Sequence, residues 1–164
     1  MNKFERISQK QFEEDFGEPY PPVSYNDIVL PRRVTERSAG YDIFSPMNVM
    51  LSPGESVKIP TGIRVILDSN KFFAIVPRSS LGFKYRLQLD NTIGIVDADY
   101  SGADNEGHIW IKLTNDSKEN KTVFISKGMA LAQGIICSYA ITDDDDAAGI
   151  RRGGIGSTSE SALT

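Results

Sequence analysis

The sequence predicts an all-β domain of the sandwich, jelly-roll or barrel kind, and three observations carry that prediction. From Asp27 onward, short apolar and β-branched runs recur, divided by turn signals about every 8–12 residues. Ile109, Ile111 and Leu113 alternate with His108, Trp110 and Lys112, the period of two that marks a half-buried strand. Only two short stretches carry a helical reading. The 164 residues are 40% hydrophobic and 24% charged with a net charge of −4, which suits one folded domain with a real core and lacks the signature of disorder.

The first element is a helix over 8–16. Ser8 and Gln11 form a capping box, and Phe12 and Phe16 share one face at i, i+4 spacing. Gly17, Pro19, Pro21 and Pro22 then break it. Strands are expected over 28–30, 41–44, 49–51, 56–59, 63–67, 72–76, 86–89, 109–113, 122–125 and 130–138. Pro53-Gly54, Pro60-Thr61-Gly62, Asp68-Ser69-Asn70 and Asn115-Asp116-Ser117 punctuate them as turns. A second short helix is expected over 80–85. After Ala140 an acidic run over 143–146 leads into Arg151-Arg152-Gly153-Gly154-Ile155-Gly156-Ser157-Thr158. The chain thus divides into an N-terminal extension with its helix (1–26), a β domain (27–142) and a flexible C-terminal tail (143–164). The tail reads either as a disordered extension or as a phosphate grip, in which glycines admit an anion to the backbone amides while arginines and hydroxyls complete it.

Composition narrows the chemistry. An acidic balance offers no general attraction to nucleic acid or anionic lipid. No apolar run approaches the roughly 20 residues of a membrane helix, and the N-terminus lacks a secretion signal, so a cytoplasmic setting is expected, in a cell or in the host of a phage or virus. A single cysteine, Cys137, and a single histidine, His108, leave no disulfide, cysteine–zinc or multi-histidine metal site. Catalysis falls to carboxylates, arginines, hydroxyls and backbone amides.

Three internal stretches place such groups where a β protein would ordinarily only turn. Ser38-Ala39-Gly40-Tyr41-Asp42 enters a strand. Pro77-Arg78-Ser79-Ser80-Leu81-Gly82 joins an apolar strand to a helix start, and serves either as an ordinary serine cap or as an anion site. In the stretch from Asn91 to Gly102, an apolar run that reads as buried delivers Asp97, Asp99 and Tyr100 to a turn. A carboxylate fixed at a strand end is well placed as a general base toward water; the plain alternative is a hairpin turn. Asp97-x-Asp99-x-Ser101-Gly102 matches the first half of an EF-hand loop, but its twelfth position is His108 rather than a bidentate Glu, and its flanks read as strands.

Together these stretches resemble the trimeric dUTPase family, with its five ordered motifs. Ala39-Gly40-Tyr41-Asp42 is similar to the first, Pro77-Arg78-Ser79-Ser80-Leu81-Gly82 to the second, and Gly94-Ile95-Val96-Asp97-Ala98-Asp99-Tyr100-Ser101-Gly102 to the third. Lys127-Gly128-Met129-Ala130-Leu131-Ala132-Gln133 is similar to the fourth and Arg152-Gly153-Gly154-Ile155-Gly156-Ser157-Thr158 to the glycine-rich fifth. The resemblance spans about 28–158.

It implies a jelly roll, a homotrimer with active sites built between subunits, and Mg²⁺-assisted hydrolysis of dUTP to dUMP and pyrophosphate. That activity would limit uracil in DNA and supply dUMP for dTMP synthesis. Carried over by position, Asp97 is the base toward the attacking water and Tyr100 packs beneath the deoxyribose. Asn91 and the hairpin around Gly94 read uracil. Arg78, Ser79, Ser80 and Gln133 hold the phosphates, while Asp42 and Asp99 support the site. Arg152, Ser157 and Thr158 close over the terminal phosphate. Mg²⁺ is held through phosphates and waters, with no direct protein ligand. No nucleic acid or membrane partner is implied, and the helix over 8–16 is expected to pack on the trimer surface.

The chain departs from the family pattern in four places. Ala103-Asp104-Asn105-Glu106 lengthens the turn after the third motif and reads as a solvated loop, or as a tuner of metal or partner contacts. Ile155 replaces a stacking phenylalanine, Ile150 occupies the usual arginine position so that Arg151 or Arg152 must serve, and Met129-Ala130 replaces an acidic residue and an arginine. Two alternatives stay open: a dCTP deaminase-like enzyme of the same fold, and a catalytically quiet nucleotide- or protein-binding regulator.

Overall fold

In the computed structural model, which describes residues 1–153, the chain runs β1 (Lys3–Arg6), α1 (Gln9–Asp15), β2 (Tyr41–Phe44), β3 (Val49–Leu51), β4 (Ser56–Pro60), β5 (Ile63–Ile66) and β6 (Lys71–Pro77). It continues through α2 (Ser79–Tyr85), β7 (Leu87–Leu89), β8 (Gly94–Asp97), β9 (Trp110–Asn115), β10 (Val123–Ile125) and β11 (Ala130–Ser138), with 3-10 turns at Tyr25–Asp27 and Ala98–Gly102. All strand pairs are antiparallel. The sheets are ordered β2-β11-β6-β8, β4-β9-β7, β1-β5 and β3-β10, and their inner faces share one core. This is the all-β, jelly-roll-like architecture the sequence predicts.

Alternation decides which side chains reach that core. Along β9, Ile111 and Leu113 are buried while Lys112 points out. In the β2-β11-β6-β8 sheet, Phe73, Ile75, Val96 and Gly134 face inward, and Asp42, Gln133, Val76 and Asp97 share the opposite face by register. Phe73 lies across Gly134 so closely that a Cβ there would stand 1.9 Å from the ring. The ring is fully buried and met edge-on by Phe4 at 5.2 Å, so it has nowhere to go. Gly134→Ala is therefore expected to lower the unfolding free energy by about 2 kcal/mol or more, read as a shifted urea midpoint at constant slope.

The N-terminal segment completes this core. Phe12 and Phe16 stack at 4.2 Å and are buried. The Ser8 hydroxyl caps α1 by accepting the Gln11 N–H at 3.1 Å. The other half of the expected capping box does not form from Gln11, whose amide turns to Asp15. Glu106 supplies it instead from far along the chain, accepting the Ser8 N–H at 2.8 Å and the Ser8 hydroxyl at 2.5 Å. These bonds hold the Glu106 carboxyl below its usual range. His108 is fully buried beneath α1: Nε2 accepts the Gly62 N–H at 2.8 Å, so Nδ1 carries the proton and donates to Asp15 at 2.6 Å. Burial pushes its pKa down, and it remains neutral.

Three local expectations are corrected. No strand forms over 28–30; Ile28 instead plugs against Gly62, and Arg6 takes the Ile28 carbonyl that a ladder would have used, along with that of Asn26 just before it. β1 goes unseen in the sequence because Lys-Phe-Glu-Arg turns only one large apolar residue inward. The run before Asp97 is not buried throughout: Val96 is, whereas Ile93 and Ile95 are 42% and 49% exposed. Among the described residues, no helix is long and apolar enough to cross a membrane.

Candidate active site

Strand pairing gathers the first polar cluster. β11 lies between β2 and β6, which sets Gln133 opposite Asp42 on one side and Val76 on the other. Arg78, at the end of β6, reaches Asp42 with Nε 3.2 Å from Oδ1. The Gln133 amide donates to the Pro77 carbonyl at 3.3 Å. Gly40 leaves room for that amide, since a Cβ there would sit 2.6 Å from Gln133 Oε1. Arg78 is also the N-cap of α2 but makes no side-chain capping bond. Ser79 and Ser80 follow as exposed hydroxyls, so neither acts as the serine cap that one reading allowed.

A second cluster forms where β8 ends. Asp97 closes the strand with its side chain 52% exposed, and the 3-10 turn after it presents Asp99 and buries Tyr100. Arg151 folds back from the tail onto both carboxylates, with Nη1 2.7 Å from Asp97 Oδ2 and 3.5 Å from Asp99 Oδ1. Its guanidinium stacks over the Tyr100 ring at 4.9 Å. Arg151 Nε is buried and has no hydrogen-bond partner among the described residues. The sequence placed Arg152 at the phosphate by position with Arg151 as its alternative; the structure brings Arg151 to the carboxylates and leaves Arg152 exposed, its carbonyl accepting the Asp104 N–H at 3.0 Å. Ser157 and Thr158, like Ile155, lie outside the described residues.

Beside this cluster opens a cavity of about 420 Å³ lined by Asn91, Gly94, Tyr100, Asn105, Trp110 and Lys112 among others. Burial pushes the Tyr100 hydroxyl above its usual pKa, so it stays a donor; it donates to the His108 carbonyl at 2.9 Å. Sequence reasoning named Asn91, Gly94 and Tyr100 but missed Asn105. The turn over 103–106 is not the solvated loop it resembled, because Ala103 is buried, Asn105 reaches Tyr100 and Glu106 caps α1. The only sequence signal for this is Gly107, which the turn requires at φ +74°.

The two clusters share a sheet face without meeting. Asp97 pairs with Phe72 and Gln133 with Val76, which separates them by four residues along β6, or about 13 Å, and by two strand spacings across it, or about 10 Å. Between them the face is apolar, with Phe72, Ala74, Val76, Ile95 and Ile135.

Residues 26–159 match the family model for dUTPase. The chain belongs to the dUTPase family. Among curated dUTPases, the deoxyuridine 5'-triphosphate nucleotidohydrolase of Lactococcus lactis is 38% identical over 134 residues, which is 80% of this chain and 88% of that protein. The enzyme of the same name from Tolumonas auensis is 35% identical over 141 residues, 81% of this chain and 89% of its own length. The crystal structure of the dUTPase from Streptococcus mutans superposes with a TM-score of 0.67 at 28% identity, covering 85% of this chain and 98% of that one. A mutant dUTPase from phage phi11 of S. aureus, described with a structural Mg(II) ion, shares the fold with a TM-score of 0.64 at 20% identity, over 91% and 97% of the two chains. All five dUTPase motifs read from the sequence fall inside the matched residues.

Proposed function

We propose that the chain hydrolyses dUTP to dUMP and pyrophosphate, with Asp97 as the general base. The observation that carries this reading is the open end of β8, where Arg151 joins an accessible Asp97 carboxylate to the ring of Tyr100, which lines a cavity together with Asn91 and Gly94. Uracil enters that cavity against Asn91 and the hairpin backbone at Gly94, and the deoxyribose rests on Tyr100, leaving no room for a 2′-hydroxyl. Asp97 takes a proton from water as its oxygen attacks the α-phosphorus; the bond from that phosphorus to the bridging oxygen breaks, and pyrophosphate leaves. Arg78, Ser79, Ser80 and Gln133 hold phosphate oxygens, with Asp42 fixing Arg78 by the ion pair already described. Asp99 shares with Asp97 the guanidinium of Arg151. The tail, through Arg151 or Arg152 with Ser157 and Thr158, closes over the terminal phosphate.

The donor set suits Mg²⁺ carried in on the triphosphate. Among the described residues no three His, Cys, Asp or Glu side chains converge into a cage, whereas phosphate oxygens and water satisfy this hard cation. Bound there, Mg²⁺ supplies charge neutralisation on the phosphates and the departing pyrophosphate.

The separation of the two clusters supports a site completed by neighbouring copies in a homotrimer. The apolar strip between the clusters, from Val76 to Ile95, suits burial against another chain. We place the reaction in a cytoplasm, where its product feeds dTMP synthesis and its substrate is kept out of DNA.

The test is a nucleotide panel of dUTP, dCTP, dTTP and UTP with Mg²⁺, run beside light scattering. Pyrophosphate release from dUTP alone, by a trimer, is the expected result. Ammonia release from dCTP, or binding without turnover, overturns it in favour of a deaminase or a quiet binding protein.

A further inference from the structure

The turn after the third motif carries a residue outside that scheme. Asn105 lines the cavity with Tyr100, Asn91 and Gly94, and its Nδ2 donates to the Tyr100 hydroxyl at 2.9 Å. We propose that Asn105 is a positioning residue that holds the Tyr100 ring at the height needed to reject a ribose 2′-hydroxyl. The proposal rests on the reading that Tyr100 packs beneath the sugar.

Hydrogen-bond direction supports it. The Tyr100 hydroxyl spends its proton on the His108 carbonyl at 2.9 Å, so its oxygen is left as an acceptor. Asn105 Oδ1 accepts the Gly107 N–H at 3.2 Å, which turns the amide nitrogen toward Tyr100. Each group therefore meets its complement, and the ring is tied from two sides at its outer end. With the His108 bond alone, the hydroxyl end of the ring would be fixed from one side only.

Asn105 is in turn held by a rigid turn. Its own carbonyl accepts the His108 N–H at 3.0 Å. Gly107 sits at φ +74° with no space for a Cβ, which would stand 2.7 Å from both Ser101 Cα and the Tyr100 carbonyl oxygen. On the other flank, Glu106 is fastened to Ser8 at the start of α1. The N-terminal helix thus anchors the turn that delivers Asn105.

A small displacement of such a surface has a large effect on selection, because sub-ångström placement decides whether an extra hydroxyl fits. The experiment compares kcat/KM for dUTP and UTP in the wild type, Asn105→Ala and Asn105→Leu, with melting temperatures alongside. Leu keeps the volume but can neither donate nor accept, and so preserves the test should the alanine variant fold poorly. In both variants the dUTP-to-UTP ratio is expected to fall by about tenfold, the size expected for a fraction-of-an-ångström shift, with the dUTP value itself changing less. In a Tyr100→Phe background, adding Asn105→Ala is expected to change the ratio no further, because the bond is already absent.

An unaltered ratio in folded variants that discriminate like the wild type overturns the proposal and leaves the Tyr100 reading standing. An equal loss on both nucleotides also overturns it. A wild type that does not discriminate between dUTP and UTP sinks the Tyr100 reading itself, and the proposal with it.

Discussion

Asp97→Asn is expected to reduce kcat for dUTP by roughly 10³-fold, within the usual range for loss of a positioned general base. The amide matches the carboxylate in shape but cannot take a proton from water. Little else should change. The side chain is half exposed at a strand end, and its contact is the charge pair with Arg151. The Asp97 end of this pair stands in solvent although Arg151 is covered, and a pair so screened on one side contributes about 1 kcal/mol. Melting temperature and KM are therefore expected to stay close to wild type while pyrophosphate release collapses. Retention of more than a tenth of wild-type turnover would remove Asp97 from the chemistry.

Removing residues 150–164 is expected to lower kcat/KM by about 100-fold while leaving the β domain folded and assembled, a loss of the size seen when a group that clamps substrate is taken away. Among the described residues of the tail, Arg151 is the side chain that bonds to the domain. It lies with 13% exposure between the Tyr100 ring and two carboxylates. Its buried Nε has no partner among the described residues, so within them the docked arginine keeps an unused donor. A guanidinium with an unsatisfied donor beside a base is ready to exchange carboxylate for phosphate when the triphosphate arrives. The truncated chain should show normal near-UV dichroism and an unshifted scattering mass. Unchanged turnover would exclude the tail from the reaction.

How far the sequence could be read depended on where each residue finds its partners. β2, β3 and β11 matched their predicted bounds because their own alternation or apolar run specifies them. The triplet 28–30 looked equally apolar, but its Ile28 carbonyl is claimed by Arg6, more than 20 residues away, and no local pattern announces that. β1 failed in the opposite sense: its charged sequence becomes a strand because β5 offers an edge. Asp42, Arg78, Gln133, Asp97 and Tyr100 were legible as motif residues. Their separation into two clusters was not, since it follows from the register of β6. Arg151 and Arg152 are chemically identical neighbours, and only the fold of the chain back toward Tyr100 tells them apart. Asn105 hid in a stretch whose composition suits a solvated turn, while its bonds run to a buried phenol.

The register of β6 has one more consequence. Residues 73 and 75 fill the core, while residues 72 and 76 stand opposite Asp97 and Gln133. A slip of one residue in either pairing would swap these sets, burying a carboxylate or an amide and turning an aromatic ring toward water. Parity therefore couples the chemistry to the interior. No one-residue slip can keep the core and lose only the polar face, so the forces that select the correct parity during folding also guard the side on which Asp97 and Gln133 stand.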